Sequence, residues 1–149
     1  MALSEETIST LTIAISQIYE SGLTELVLKR LDSFGYTPSE DDVFCIAFSV
    51  QKVENSIKND CNVTELPEKL TNIAVDMVCG EVLGSLYRTG KLSLDGMNLD
   101  GAIASVSLGD TTVSFDNTTT NSEGKFTTLL QLLSESGRGE FACYRTLKW

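Results

Sequence analysis

The chain has 149 residues, 42% of them hydrophobic and 21% charged, a balance that suits one domain with its own core and excludes a disordered tail. Eleven basic against 21 acidic side chains leave a net charge of −10, the wrong sign for gripping nucleic acid, where affinity comes from Lys and Arg displacing counterions. Histidine is absent, and the cysteines Cys45, Cys61, Cys79 and Cys143 form no Cys-x-x-Cys pair, which argues against a zinc site and against imidazole-assisted nucleophilic catalysis.

The first half reads as helical. Ile8, Leu11, Ile15 and Ile18 recur at helical spacing behind Ser4, a candidate N-cap, and Gly22 is the expected break. Leu23, Leu26, Val27 and Leu31 begin a second helix that ends near Gly35. A third starts at Thr37-Pro38-Ser39-Glu40, where a Thr37 cap, a proline at the first position and a glutamate at the third predict a capping box. Its expected buried stripe is Val43, Ile46, Val50, Val53 and Ile57, widened by Phe44, Ala47 and Phe48, and it runs out at Asn59 to Asn62. Cys45 and Cys79 fall within apolar helical patterns, where a free thiol packs as a small core residue.

Pro67 restarts a fourth helix, to about Thr89, with Leu70, Ile73, Ala74, Met77, Val78 and Leu86 inward. Gly80 and Gly84 inside it each cost about 1 kcal/mol relative to alanine, which fits either close approach of a neighbour or tolerated drift. From 102 to about 116 the residues alternate as a β-hairpin with its turn at Gly109-Asp110. A last helix is expected over about 122–136, with Phe126, Leu129, Leu130 and Leu133 inward and Gly137 as its stop. The predicted fold is mainly α. It is a single domain over 1–149, a small helical bundle (helical over 4–91) with one hairpin inserted before the last helix and an extended C-terminal arm, 137–149.

No phosphate-binding glycine loop occurs, and the Asp95–Gly101 stretch fails the register of a calcium loop, with Ser107 where a bidentate glutamate belongs. No acid–base pair stands out, so no catalytic residue, cofactor or metal is assigned and the chain reads as a non-enzyme. No apolar run reaches the roughly 18 to 20 residues of a membrane span, and the acidic start lacks the basic and apolar features of a secretion signal, so a cytoplasmic setting is expected. What remains is the C-terminal stretch. Its last twelve residues carry Arg138, Arg145 and Lys148 against Glu140, interleaved with Phe141, Tyr144 and Trp149. Arg, Tyr and Trp dominate protein–protein hot spots, so this can be an arm that docks on another protein. It can equally fold back onto its own core through Phe141 and Trp149.

Residues 53–67 (Val-Glu-Asn-Ser-Ile-Lys-Asn-Asp-Cys-Asn-Val-Thr-Glu-Leu-Pro) and 72–81 (Asn-Ile-Ala-Val-Asp-Met-Val-Cys-Gly-Glu) resemble the core of the head-tail connector, or adaptor, family of tailed phages and prophages of Gram-positive bacteria. The ending 137–145 (Gly-Arg-Gly-Glu-Phe-Ala-Cys-Tyr-Arg) with Lys148-Trp149 is similar to the ending of that family, and 105–113 to its middle. Glu140 stands where an aspartate is expected, which keeps the charge.

The resemblance implies a virion protein of the neck that assembles in the host cytoplasm. Copies form a ring, of twelve in the family, which docks beneath the portal protein and meets the stopper or neck protein below. DNA passes through without specific binding, and no membrane is involved. Phe141, Tyr144, Arg145, Leu147, Lys148 and Trp149 become the portal-contact candidates. Leu108, Gly109 and Asp110 become candidates for contact with a neighbour or the lower ring. The alternatives are another neck component, such as a stopper or tail terminator, and a small acidic cytoplasmic module that binds a basic partner.

Overall fold

Caps and left-handed turns set where each helix starts and stops. The structure, a computed structural model, describes residues 3–106 and 122–135 together with residues 137, 139 and 141. Helix α1, Glu5–Ser16, begins at Ser4, whose Oγ accepts the Thr7 backbone N–H at 3.2 Å, with Glu5 and Glu6 at the positive end of the helix dipole. It buries Ile8, Leu11 and Ile15 but closes at Gln17, well before Gly22, so Ile18 lies beyond the helix and is exposed. Helix α2, Thr24–Ser33, buries Val27, Leu28 and Leu31 and is followed by Gly35 at φ 94°, a conformation that favours glycine. Leu26 faces outward instead of joining the stripe.

Helix α3, Val43–Cys61, follows a 3-10 turn over Glu40–Asp42. The capping box sits two residues later than the sequence predicts: Ser39 is the cap and Asp42 its third residue. The Asp42 carboxylate accepts both the Ser39 backbone N–H at 3.0 Å and the Tyr36 hydroxyl at 2.6 Å. That second donor favours Asp42 over Glu40, which stays exposed. Ile46, Ala47, Val50, Val53 and Ile57 form the buried stripe as expected, and Asn62 ends the helix in the left-handed region at φ 55°.

Helix α4, Thr71–Arg88, rises from Pro67 through a 3-10 turn at Glu68–Leu70. Ala74, Val75, Met77, Val78, Cys79, Val82, Leu83, Gly84 and Leu86 are buried, which is most of its circumference. Helix α5, Leu99–Val106, and helix α6, Ser122–Glu135, complete the described elements. The chain is mainly α, and no strand occurs among the described residues.

The hairpin expectation is corrected at its first strand, because 102–106 belongs to α5. Small residues that alternate also fit a helix, and Leu99, Ala102, Ile103 and Val106 follow the i, i+3, i+4, i+7 pattern that buries one helical face. Asn98 caps it, its Oδ1 accepting the Gly101 N–H at 3.1 Å. The rest of the expected hairpin, 107–116, lies outside the described residues.

Helix α4 is the element around which the others pack. It meets α2, α3 and α6, while α1 lies on α2 and α3, and α5 lies on α6. Between α2 and α4, Arg30 Nε bonds Asp76 Oδ1 at 2.8 Å and its guanidinium stacks over the Phe34 ring at 4.6 Å. Between α4 and α6, Tyr87 meets Phe126 with ring centroids 4.9 Å apart. Lys125 reaches Asp100 at 3.1 Å and ties α6 to the first turn of α5.

The two glycines of α4 differ in what they permit. A Cβ on Gly80 would lie 3.0 Å from Leu133 Cβ, so close approach of α6 requires glycine there. A Cβ on Gly84 would meet only the Arg88 guanidinium, at 3.3 Å, which can swing away. Gly84→Ala is therefore predicted to raise stability by about 1 kcal/mol through helix propensity. Gly80→Ala should lower it by about 1–3 kcal/mol through overpacking. Urea denaturation of the two variants reads the opposite signs directly.

Candidate protein-binding surface

The polar groups buried in this bundle are tied up in holding it together. Glu54, on the inner side of α3, accepts the Tyr19 hydroxyl and the Ser21 hydroxyl, the latter at 3.1 Å. With Tyr36 on Asp42, each linker flanking α2 is held by a tyrosine on a buried carboxylate, one on α3 and one in the turn that leads into it. Burial and then the Glu54 bond push the Tyr19 pKa up to about 12. Burial and the Asp42 bond likewise raise Tyr36.

The thiols are equally occupied with packing. Cys61 and Cys79 are buried and Cys45 is half-buried. Burial pushes the Cys45 and Cys79 thiols up, away from the thiolate that nucleophilic chemistry needs. Among the described residues no three His, Cys, Asp or Glu side chains gather as a metal group, and no helix is long and apolar enough to cross a membrane. A cleft of about 380 Å³ lies between α1 and the start of α3, lined by Glu6, Thr7, Thr10, Leu11, Pro38, Ser39 and Glu40. It is open to solvent.

What stands out chemically is an apolar surface. Phe44 and Phe48, expected to widen the buried stripe of α3, are 68% and 57% exposed and stack on each other at 6.2 Å. At i and i+4 they share one helix face, turned away from the α1 and α4 contacts that bury Ala47, Val50 and Val53. Exposed Glu40 and Asp41 precede Phe44 by one turn. Lys52, one turn after Phe48, is engaged with Glu81 at 3.1 Å. Two adjacent exposed phenylalanines make an apolar patch of the kind found at interaction sites. In the sequence the signal was the width of the apolar arc, which exceeds what one helix face can bury.

Of the portal-contact candidates, Phe141 is described: it is 3% exposed and packs in the core, with its carbonyl 3.7 Å from the Cys61 sulfur at the end of α3. At Gly137 an added Cβ would run into the Ile73 side chain of α4. The start of the C-terminal stretch thus lies against the body, as the fold-back alternative expects for Phe141. Tyr144, Arg145, Leu147, Lys148 and Trp149 lie outside the described residues, as do Leu108, Gly109 and Asp110. Sequence reasoning placed Phe44 and Phe48 in the buried stripe and overlooked the two tyrosine–carboxylate bonds. Glu54, set among Val50, Val53 and Ile57 on the apolar side of the helical wheel, was the available signal for the latter.

Comparison of the chain with protein-family models, with curated proteins and with solved structures finds no match.

The raised tyrosine pKa has a sign that can be tested. Tyr19 titrates near 10 when unfolded and at about 12 when folded, so its stabilisation is complete below pH 10 and is lost as pH rises toward 12. Tyr19→Phe is predicted to cost about 1.5–3 kcal/mol at neutral pH, because it removes a hydrogen bond to a buried charge. It should also flatten the alkaline loss of stability between pH 10 and 12 relative to the parent. Denaturation midpoints of both proteins across that range check the two effects together.

Proposed function

We propose that this chain is a structural virion subunit, an adaptor that assembles as a ring beneath the portal of a tailed phage and continues the DNA channel toward the tail. One observation carries the reading furthest. The stretches that resemble the connector family, 53–67 with 72–81 and 137–145, are far apart in sequence, and Gly137 and Phe141 of the last one meet the first two in the fold. Phe141 packs at the end of α3 beside Cys61, and Gly137 lies against Ile73 of α4. Residues similar to those of one family therefore make one structural unit, as residues that co-specify a fold do.

Two further features support it. The exposed Phe44–Phe48 pair is the kind of surface that an assembling subunit needs and a solitary chain does not. The net charge of −10 suits a wall that DNA slides past, since like charges repel. In this reading the segment after Phe141, with Tyr144, Arg145, Leu147, Lys148 and Trp149, contacts the portal, and 108–110 meets a neighbour or the neck protein below. The ring number is taken from the family resemblance.

The test is to mix the purified chain with portal rings of the phage that encodes it and to image the mixture by negative-stain electron microscopy. The expected result is an extra layer on the tail-facing side of the portal. A chain truncated after Phe141 keeps its core residue, so it should stay folded and fail to add the layer. Bare portals beside well-folded full-length protein would contradict the adaptor reading, and a truncated chain that still adds the layer would contradict the role of the C-terminal segment.

A further inference from the structure

The exposed face of α3 is complementary to its own reverse. Phe44 and Phe48 flank position 46, and Glu40 and Lys52 each lie six residues from it, about 9 Å at 1.5 Å per residue. Glu40, Phe44, Phe48 and Lys52 are all exposed and follow one another at intervals of four, with Asp41 beside the acidic end and Gln51 beside the basic end. Rows of that spacing are the ridges that interlock when two helices pack. This one runs acid, ring, ring, base.

Laid end for end against a second copy, the row meets its opposite at every place. Two such rows pack with their helices crossing at about −50° and their axes about 8–10 Å apart, the arrangement commonest between helices. Phe44 then falls against Phe48 of the second copy, and Glu40 against its Lys52, with no like charges opposed along the row. Four rings gather in the middle, where aromatic side chains stack or meet edge to face. Lys52 already holds Glu81 at 3.1 Å, but its side chain is 56% exposed and has three donors, so it can take a second carboxylate without giving up the first. Lys91 is exposed and acts on the half-buried Cys45, which lies beside the row, so it flanks the contact and belongs to neither charge pair.

From this we propose that the Phe44–Phe48 face docks a second copy of the same chain. The two α3 helices pair antiparallel about a two-fold axis at position 46, ring on ring in the middle, with Glu40 and Asp41 against the second copy's Lys52 at each end. The spacing selects this occupant: opposite charges at equal distances on either side of an apolar pair are what a self-complementary contact requires. The net charge of −10 on each copy opposes approach, but salt at about 0.15 M screens it beyond about 8 Å and leaves the groups in contact to decide. One helix face is small against the roughly 1,600 Å² of a standard interface, so the dimer forms as concentration rises. A two-fold contact closes on itself, whereas a ring is built head to tail, so this pairing describes the free chain and goes beyond the adaptor reading.

Sedimentation velocity of the full chain at about 0.15 M salt, from about 1 μM to about 1 mM and with no portal present, reads the association. The parent is expected to pass from monomer to dimer across that range. Glu40→Lys/Asp41→Lys and Lys52→Glu each set like charges against each other across the axis, so each alone should dimerise about tenfold more weakly or worse. Mixed in equal amounts they restore opposite charges at both ends and should form a heterodimer about as tight as the parent dimer. Phe44→Ser/Phe48→Ser changes two exposed residues and should stay monomeric with unchanged far-UV circular dichroism; if it does not fold, the charge variants keep the test.

A parent that stays monomeric throughout would overturn the proposal. So would a dimer that persists in the folded serine variant, which would put the contact elsewhere. Charge variants that fail to recover on mixing would exclude the antiparallel register, and species that grow beyond the dimer would give the face to a head-to-tail contact. Each of these results is obtained without portal, so failure here and failure of the adaptor reading remain distinguishable.

Discussion

Burial of α4 on nearly every side is the constraint from which the rest of the architecture follows. Its apolar positions, from Ala74 through Leu86, extend well beyond one stripe, so no single partner helix can cover them. Helices α2, α3 and α6 do so together. Close packing then dictates the small residues: Gly80 exists where α6 presses Leu133 onto the helix, and Cys79 fills the side against Val27. The half-buried Arg30–Asp76 bond fixes how α2 crosses α4, and it is stacked on Phe34 instead of being left to solvent. The same demand reaches Gly137, which has no room for a Cβ beside Ile73 and so draws the C-terminal stretch against the body.

Helix α3 serves two purposes on two faces. Its inner face carries Glu54, and the turn that leads into it carries Asp42; these carboxylates accept tyrosine hydroxyls from the linkers on either side of α2. A buried carboxylate left without donors costs several kcal/mol, so each linker is held at a defined place on α3. With the inner face committed in this way, the outer face is presented as a fixed platform, and Phe44 and Phe48 sit on it one turn apart.

The helices with strong periodicity were legible in the sequence. Ile46, Val50, Val53 and Ile57 announce α3; Phe126, Leu129 and Leu133 announce α6; and Ser4 and Asn62 mark ends that the structure keeps. Residues 99–106 were misread because small side chains alternate at period two while the larger ones also fit a helix, and the Asn98 cap that breaks the tie is a single side chain. The start of α3 shifted because two hydroxyl–acid pairs overlap there, and only the distant Tyr36 decides between them. The exposure of Phe44 and Phe48 was legible only as an apolar arc too wide for one face to bury, and which part of it neighbours cover is decided by tertiary contact. The chemical character of the C-terminal segment was plain from its composition, whereas its surroundings beyond Phe141 are a matter of tertiary contact.

In the proposed function, a core built on α4 carries a C-terminal segment that acts on the portal. Hydrogen–deuterium exchange on the chain alone and on the chain bound to portal rings tests both halves in one measurement. The account predicts that α4 amides are the slowest to exchange in both states, opening only with global unfolding, and that binding changes exchange chiefly in residues 142–149. Rapid exchange in α4, or a binding footprint centred on α5 and α6 with 142–149 untouched, would contradict it.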